Sequence, residues 1–352
     1  MHRLLHVNDH KIKFGVPTPW GAIAGSLRLP FRSALNPHVT AARAQNLRWA
    51  IDVGLIPKHN PLLAEALARC QFEQLAALVH QDSSLDALEL ITNCFTAIFV
   101  FDDMIDDSSS EIGGNLELAT HVTAYLSATV ADDARPRLWP NVPGYQTVVA
   151  VGDALADVAQ RLLRFTDRAG IAEYVNGMRT YLFGCVLETQ KRHTHVRSIA
   201  DYSAVRLRCS AMFPCFDAGA IVERYSVPDQ IWYDPAFQTM RKDTNLCVSY
   251  VNDVFSYAKE SKVGELSNIV AVHQMIHGSS LSQAIHSSLA INDRVVGEYL
   301  DAKAELERTY LLDESTRGYI QLMENWMRGN FDWYHQQRTD RYTAYLSTAI
   351  PA

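Results

Sequence analysis

Four carboxylates fall within six positions in the segment FVFDDMIDDSSS: Asp102, Asp103, Asp106 and Asp107. On a helix, Asp102 and Asp106 are four apart and share a face, and Asp103 and Asp107 form a second such pair. Like charges at that spacing destabilise a helix unless something neutralises them. Acids at the end of a helix also oppose its dipole. A solvated acidic helix end is the plain reading. Against it stands the run from Phe95 to Phe101, which is apolar or small apart from Thr96 and argues for a buried helix. Oxygen ligands clustered without Cys or His suit a hard cation. Mg²⁺ in particular keeps its waters and bridges carboxylates to substrate phosphates. Phe95 and Phe99 continue the Asp102/Asp106 face upstream, so an aromatic stripe leads into the carboxylates. Ordinary core aromatics would produce the same stripe.

A second constellation lies in NDVFSYAKE, Asn252 to Glu260. Asn252, Ser256 and Glu260 recur every four residues. One helix face therefore carries an amide oxygen, a hydroxyl and a carboxylate, half of an octahedral oxygen site. A polar helix surface explains many such triplets, but Lys259 directly before Glu260 makes this one rarer. His193 and His195 in KRHTHVR read as a polar helix end and not as a metal pair. The six cysteines show no paired CxxC motifs, so they predict neither structural zinc nor a disulfide framework.

These side chains need rigid elements to hold them, and the pattern is helical. Helices are expected over Ala41–Leu55, Leu62–His80, Leu85–Asp106, Val149–Thr166, Ile171–Thr189, Ile199–Asp217, Asn245–Ser261, Ser282–Thr309 and Glu314–Tyr334. Loops are expected at Ser108–Gly114, at Asp132–Gly144 with its three prolines, and at Val227–Pro235. There are no strand-like alternating runs, no repeats and no linker. The expected fold is all-α, one helical bundle spanning residues 1–352. With 352 residues, 48% of them hydrophobic, the chain can bury a large core. A net charge of −7 without a basic block argues against nucleic-acid binding. The longest apolar stretch before the aspartates is too short to span a bilayer, and the N-terminus lacks a signal-peptide core. The expectation is a soluble, cytoplasmic protein with no membrane partner.

The pair DDMIDD and NDVFSYAKE resembles the class I terpene synthases of bacteria and fungi. Three further segments are similar to that family, in its order: NPHVTAARAQNLRWA near the N-terminus, YSAVRLRCS, and NWMRGNFDW followed by DRYTAY. The resemblance implies a terpenoid-synthase helical bundle with a central cavity. It also implies three Mg²⁺ ions and a prenyl diphosphate substrate. On this family pattern Asp102 ligates Mg²⁺, with Asp106 assisting directly or through water, and Asn252, Ser256 and Glu260 hold another ion. Arg206 is the implied diphosphate sensor, with Arg208 as the alternative. Lys259, Arg341 and Tyr342 are further diphosphate donors. Cys209 and Ser210 fall at the linker and effector positions of a helix break. Phe95, Phe99 and Trp333 are the implied cavity aromatics.

The chain departs from the family pattern in three places. Ala211-Met212-Phe213 follows the sensor segment in place of the usual glycine. The stretch from Trp333 to Arg341 is about two residues longer. The aspartate motif ends in Asp-Asp. The implied reaction is Mg²⁺-dependent ionisation of farnesyl diphosphate and cyclisation to a sesquiterpene with release of diphosphate. Geranylgeranyl diphosphate is the alternative substrate. A chain-elongating prenyltransferase would need a second aspartate-rich motif, and a class II cyclase a DxDD acid; neither is present. A non-catalytic helical scaffold would show no diphosphate or Mg²⁺ dependence. A homodimer is compatible with the family pattern.

Overall fold

Short polar side chains set many of the helix starts. Asn60, Ser84, Asn115, Ser198, Asp234, Asn268 and Ser280 each accept a hydrogen bond from a backbone N–H of the first turn that follows. Each satisfies a donor the helix cannot satisfy itself. The computed structural model describes residues 27–106, 110–131, 137–191, 196, 198–261 and 267–335. Among the described residues there are fourteen helices and no strand. They are α1 (Val39–Asp52), α2 (Pro61–Cys70), α3 (Phe72–Val79), α4 (Leu85–Ile105), α5 (Leu116–Val130), α6 (Tyr145–Leu162) and α7 (Ala172–Lys191). There follow α8 (Ile199–Cys209), α9 (Met212–Glu223), α10 (Asp229–Trp232), α11 (Pro235–Glu260), α12 (Ile269–His277), α13 (Leu281–Thr309) and α14 (Glu314–His335).

Apolar faces pack these helices into one continuous core running from Leu29 to Tyr334. α4 is buried along almost its whole length, as the unbroken apolar run before the aspartates predicts. α1, α3 and α6 pack against it, α13 packs along α11, and α14 packs against α3 and α11. All six cysteines are buried, in keeping with small core side chains.

Several elements differ from the sequence expectation, and α5 and α12 fall where no helix is expected. The expected helix Leu62–His80 is two helices, divided at Gln71, which adopts a left-handed φ of 55°. The break frees the Gln71 carbonyl to accept the Trp333 indole N–H at 3.0 Å. It also lets Phe72 stack on Phe99, with ring centroids 4.4 Å apart. The expected Ile199–Asp217 helix breaks at Ser210–Ala211, as the family pattern implies, and Ala211 has a φ of 61°. α11 begins ten residues before Asn245, at Pro235, because Asp234 caps it and proline suits the first helical position. The expected loop Val227–Pro235 contains the single turn of α10.

One core group gives a stability prediction. Glu73 in α3 is 2% exposed, and its nearest cation, Arg43, is 3.8 Å away. Burial pushes its carboxyl up to about 7, against the pull of its own backbone and of Arg43. A raised acid is protonated more readily in the folded chain than in the unfolded one. Its contribution is therefore fully present below pH 4.5 and is lost as pH rises through 7. Glu73→Gln should stabilise the protein at pH 8 by roughly 3 kcal/mol, since one pKa unit is ~1.4 kcal/mol. The gain should vanish near pH 4.5. Urea unfolding at both pH values checks this, and equal gains at the two would count against it.

Candidate active site

α3, α4, α7, α8, α9, α11 and α14 enclose one cavity. Its polar lining includes Asp102 and Asp106 at the end of α4, Glu188 of α7, Arg206 of α8, and Asn252, Lys259 and Glu260 of α11. Two helices far apart in sequence thus present their oxygen-bearing faces to the same space. Asp103 is buried off this surface and accepts from Lys259 Nζ at 3.4 Å, which joins α4 to α11. Ser256 is fully buried one turn from Glu260, and its hydroxyl donates to the Asp253 carbonyl at 3.4 Å. Asp107, His193, His195, Arg341 and Tyr342 lie outside the described residues.

Arg206 and not Arg208 faces the cavity. Arg208 is exposed and donates back to Ala204 of its own helix at 2.5 Å. Arg206 Nη2 donates to the Asn252 side-chain oxygen at 2.9 Å, across the 46 positions that separate them. Its Nε and Nη2 also contact Asp253 Oδ1 at 3.2 and 3.0 Å. Asp253 is 1% exposed and further accepts from the Tyr202 hydroxyl and from the Ile269 N–H. Asp253, directly after Asn252 in the chain, is a hub. It holds α8, α11 and the first residue of α12 together. Burial pushes its carboxyl up, while Arg206, Tyr202 and Ile269 pull it back down.

The apolar walls include Phe95 and Phe99 of α4. Trp333 does not line the cavity. It is fully buried behind Phe99, with ring centroids 5.8 Å apart and its N–H on Gln71. Trp326, Asn330 and Tyr334 of α14 line the cavity instead, together with Tyr181 of α7. Trp326 lies 5.1 Å from Phe95, ring to ring. The Tyr334 hydroxyl accepts from Asn252 Nδ2 at 2.5 Å, and its ring stacks on Phe255. The four-residue recurrence of positions 326, 330 and 334 was the available signal for this face. Adjacent helix residues differ by about 100°, so Trp333 and Tyr334 cannot both point inward.

The donor set fits a hard divalent cation. The candidate ligands from both helices are oxygens, and Glu260 is a half-buried carboxyl pushed up to about 7 mainly by desolvation. A cation beside it would offset the unfavourable desolvation of its charged form. Among the described residues, no three His, Cys, Asp or Glu side chains converge to hold an ion alone.

The family model for terpene synthase family 2, C-terminal metal binding, matches residues 93–295, which contain both the aspartate cluster and the Asn252–Glu260 face. The chain belongs to this family. It is accordingly a terpene synthase, and it is similar along nearly its whole length to curated members. Pristinol synthase of Streptomyces pristinaespiralis is 27% identical, over 90% of this chain and 84% of that one. The (+)-T-muurolol synthase of Roseiflexus castenholzii, named as cyclising (2E,6E)-farnesyl diphosphate, is 26% identical over 86% of this chain and 90% of its own. The solved structure of wild-type cucumene synthase superposes with a TM-score of 0.73, covering 87% of this synthase and 99% of that chain. At 22% identity that likeness concerns the fold. Among the described residues no helix of the synthase is long and apolar enough to cross a membrane.

Proposed function

We propose that this synthase ionises farnesyl diphosphate and cyclises the resulting carbocation to a sesquiterpene, with residues 1–352 acting as one catalytic domain. The observation that carries this reading is a single cavity with oxygen ligands and Arg206 in its lining and an aromatic wall beside them. Asp102, with Asp106, and Asn252, Ser256 and Glu260 would hold Mg²⁺. When bound, the ions supply the charge neutralisation that makes diphosphate a leaving group. Arg206 then donates to the diphosphate oxygens, for which a guanidinium fork is well matched. Its Nη2 now rests on the Asn252 side-chain oxygen, so a cation bound by that oxygen would compete with this contact. Lys259, Arg341 and Tyr342 are the further donors in this reading.

The carbon–oxygen bond breaks with its electron pair leaving on the diphosphate. The allylic cation is then attacked by a double bond of its own chain, and the cyclised cation becomes a hydrocarbon by losing a proton to the released diphosphate or an alcohol by capturing water and losing a proton. Phe95, Phe99, Trp326 and Tyr181 line the space it would occupy. Each aromatic face stabilises a nearby cation by about 0.5–2 kcal/mol. These walls also keep out the water that would quench the cation early. The farnesyl chain length is supported by the substrate for which the muurolol synthase is named. Geranylgeranyl diphosphate is the alternative substrate.

Incubation with C10, C15, C20 and C25 prenyl diphosphates plus Mg²⁺, followed by gas chromatography of the extract, tests the proposal. A cyclic C15 hydrocarbon or alcohol that disappears on adding a chelator is the expected outcome. No product from any substrate would overturn it, and cyclic product from the C20 substrate alone would move the assignment to a diterpene synthase.

A further inference from the structure

The backbone between α8 and α9 is unusual for what it lacks. Ala211 holds a left-handed φ of 61° without being glycine, a conformation that disfavours L-residues by about 1–2 kcal/mol. Cys209, Ser210, Ala211 and Met212 all line the cavity, so this break forms part of its wall. Its surroundings must therefore hold it in shape.

We propose that Asn245 of α11 is the positioning residue that moulds this break and couples it to the helix face carrying Asn252 and Glu260. Asn245 is 0% exposed. Its Nδ2 donates to the Leu207 carbonyl at 3.1 Å, near the end of α8. Its Oδ1 accepts from Ser210 Oγ at 2.8 Å, and Ser210 Oγ in turn accepts from the Met212 N–H at 3.3 Å, where α9 begins. One carboxamide thus serves the last turn of α8 directly and the first turn of α9 through Ser210. Groups of both kinds are left without partners wherever a helix stops. Ser249 Oγ donates to the same Asn245 oxygen at 3.2 Å and orients the amide.

The opposite side of the break rests on α7. A Cβ at Gly184 would lie 2.6 Å from both the carbonyl carbon and oxygen of Arg208, and 2.9 Å from Cys209 N. These are backbone atoms and cannot swing aside as a side chain would. Gly177, two turns earlier on α7, leaves similar room for Pro214 N, 3.1 Å from the corresponding position. The break is wedged between a bare strip of α7 and the Asn245 amide.

The coupling follows from spacing. Asn245, Ser249, Asn252, Ser256 and Glu260 recur at intervals of 4, 3, 4 and 4 and share one face of α11. A shift of α11 that accompanies loading of its far end therefore reaches the break through a rigid helix and two hydrogen bonds. The catalytic consequence rests on the proposed terpene synthase reaction; the structural one does not.

Backbone amide exchange across residues 207–213 tests the structural arm, and product analysis with farnesyl diphosphate tests the catalytic arm. Asn245→Leu keeps the volume and removes the hydrogen bonds. It should speed exchange at Met212 by about tenfold relative to the parent, with α13 unchanged. The share of acyclic, early-quenched products should rise several-fold, while KM stays within about threefold, since ground-state binding is not touched. Gly184→Ala pushes the same backbone from the other side and should shift products in the same sense. Asn245→Asp keeps the acceptor for Ser210 and Ser249 and should fall between parent and Asn245→Leu. Should Asn245→Leu fail to fold, Asn245→Asp and Gly184→Ala carry the same two measurements. Folded variants with parental exchange and parental product ratios would overturn the proposal. If the parent yields no product from any diphosphate, the proposed reaction fails, while the exchange arm still decides whether Asn245 moulds the break.

Discussion

Asn252→Ala and Asp102→Ala should each reduce turnover of farnesyl diphosphate by on the order of a thousandfold, ~4 kcal/mol of barrier, with the fold retained. Both residues line the cavity and neither is fully buried. In the folded chain the Asn252 amide makes two contacts, accepting from Arg206 and donating to Tyr334. Losing them should lower stability by only ~1–3 kcal/mol, the usual size for a pair of partly exposed hydrogen bonds. The loss of turnover should be much larger, because an oxygen ligand of a hard cation has no substitute in a methyl group. Steady-state product formation, together with the helical circular dichroism signal and an unfolding midpoint, separates the two effects. Turnover within tenfold of the parent in either variant would count strongly against the proposed ligand sets. Asn252→Ala also frees Arg206 from one acceptor, so affinity for inorganic diphosphate without metal should not fall in that variant.

Asp253→Ala should be damaging in a different way, through the fold as well as the reaction. The Asp253 carboxylate accepts from Arg206, Tyr202 and Ile269. Its removal leaves a guanidinium, a buried hydroxyl and a backbone N–H without their acceptor. Breaking one side of a buried ion pair typically destabilises by about 3–5 kcal/mol. The intact pair need not be a large source of stability in itself. Burial holds the Asp253 carboxyl above its usual range even with the cation beside it. The penalty lies in stranding the partners. Asp253→Asn keeps one oxygen and should recover part of the stability but little of the activity, because Arg206 would lose its charged anchor. Urea unfolding of the three proteins checks the order parent, Asn, Ala. A loss under ~1 kcal/mol for Asp253→Ala would refute the hub assignment.

Sequence reading went furthest where function is written in local periodicity. Positions 102 and 106, and positions 252, 256 and 260, share a helix face by simple spacing, and an apolar run before an acidic end marks a buried helix. Cavity lining is a different kind of property. Trp333 carries the family resemblance, yet Trp326 and Tyr334 line the cavity, because Gln71 takes the Trp333 indole N–H onto a carbonyl freed by a left-handed turn. No residue type near position 71 announces that turn. In the sequence Asn245 stands only at the start of an expected helix, since its partners lie 35 and 38 positions away.

By itself the amino-acid sequence determined the helical class and the two oxygen-bearing faces. Those depend on intervals along one chain, which a helix converts directly into direction. The tertiary structure alone decided that α4 and α11 face one cavity and which aromatics wall it. It also decided that Arg206 rests on Asp253 and Asn252, and that α7 and Asn245 grip the α8–α9 break. Those depend on how separate helices pack, which is settled by contacts summed over the whole core and by backbone conformations, at Gln71 and Ala211, that no local pattern encodes.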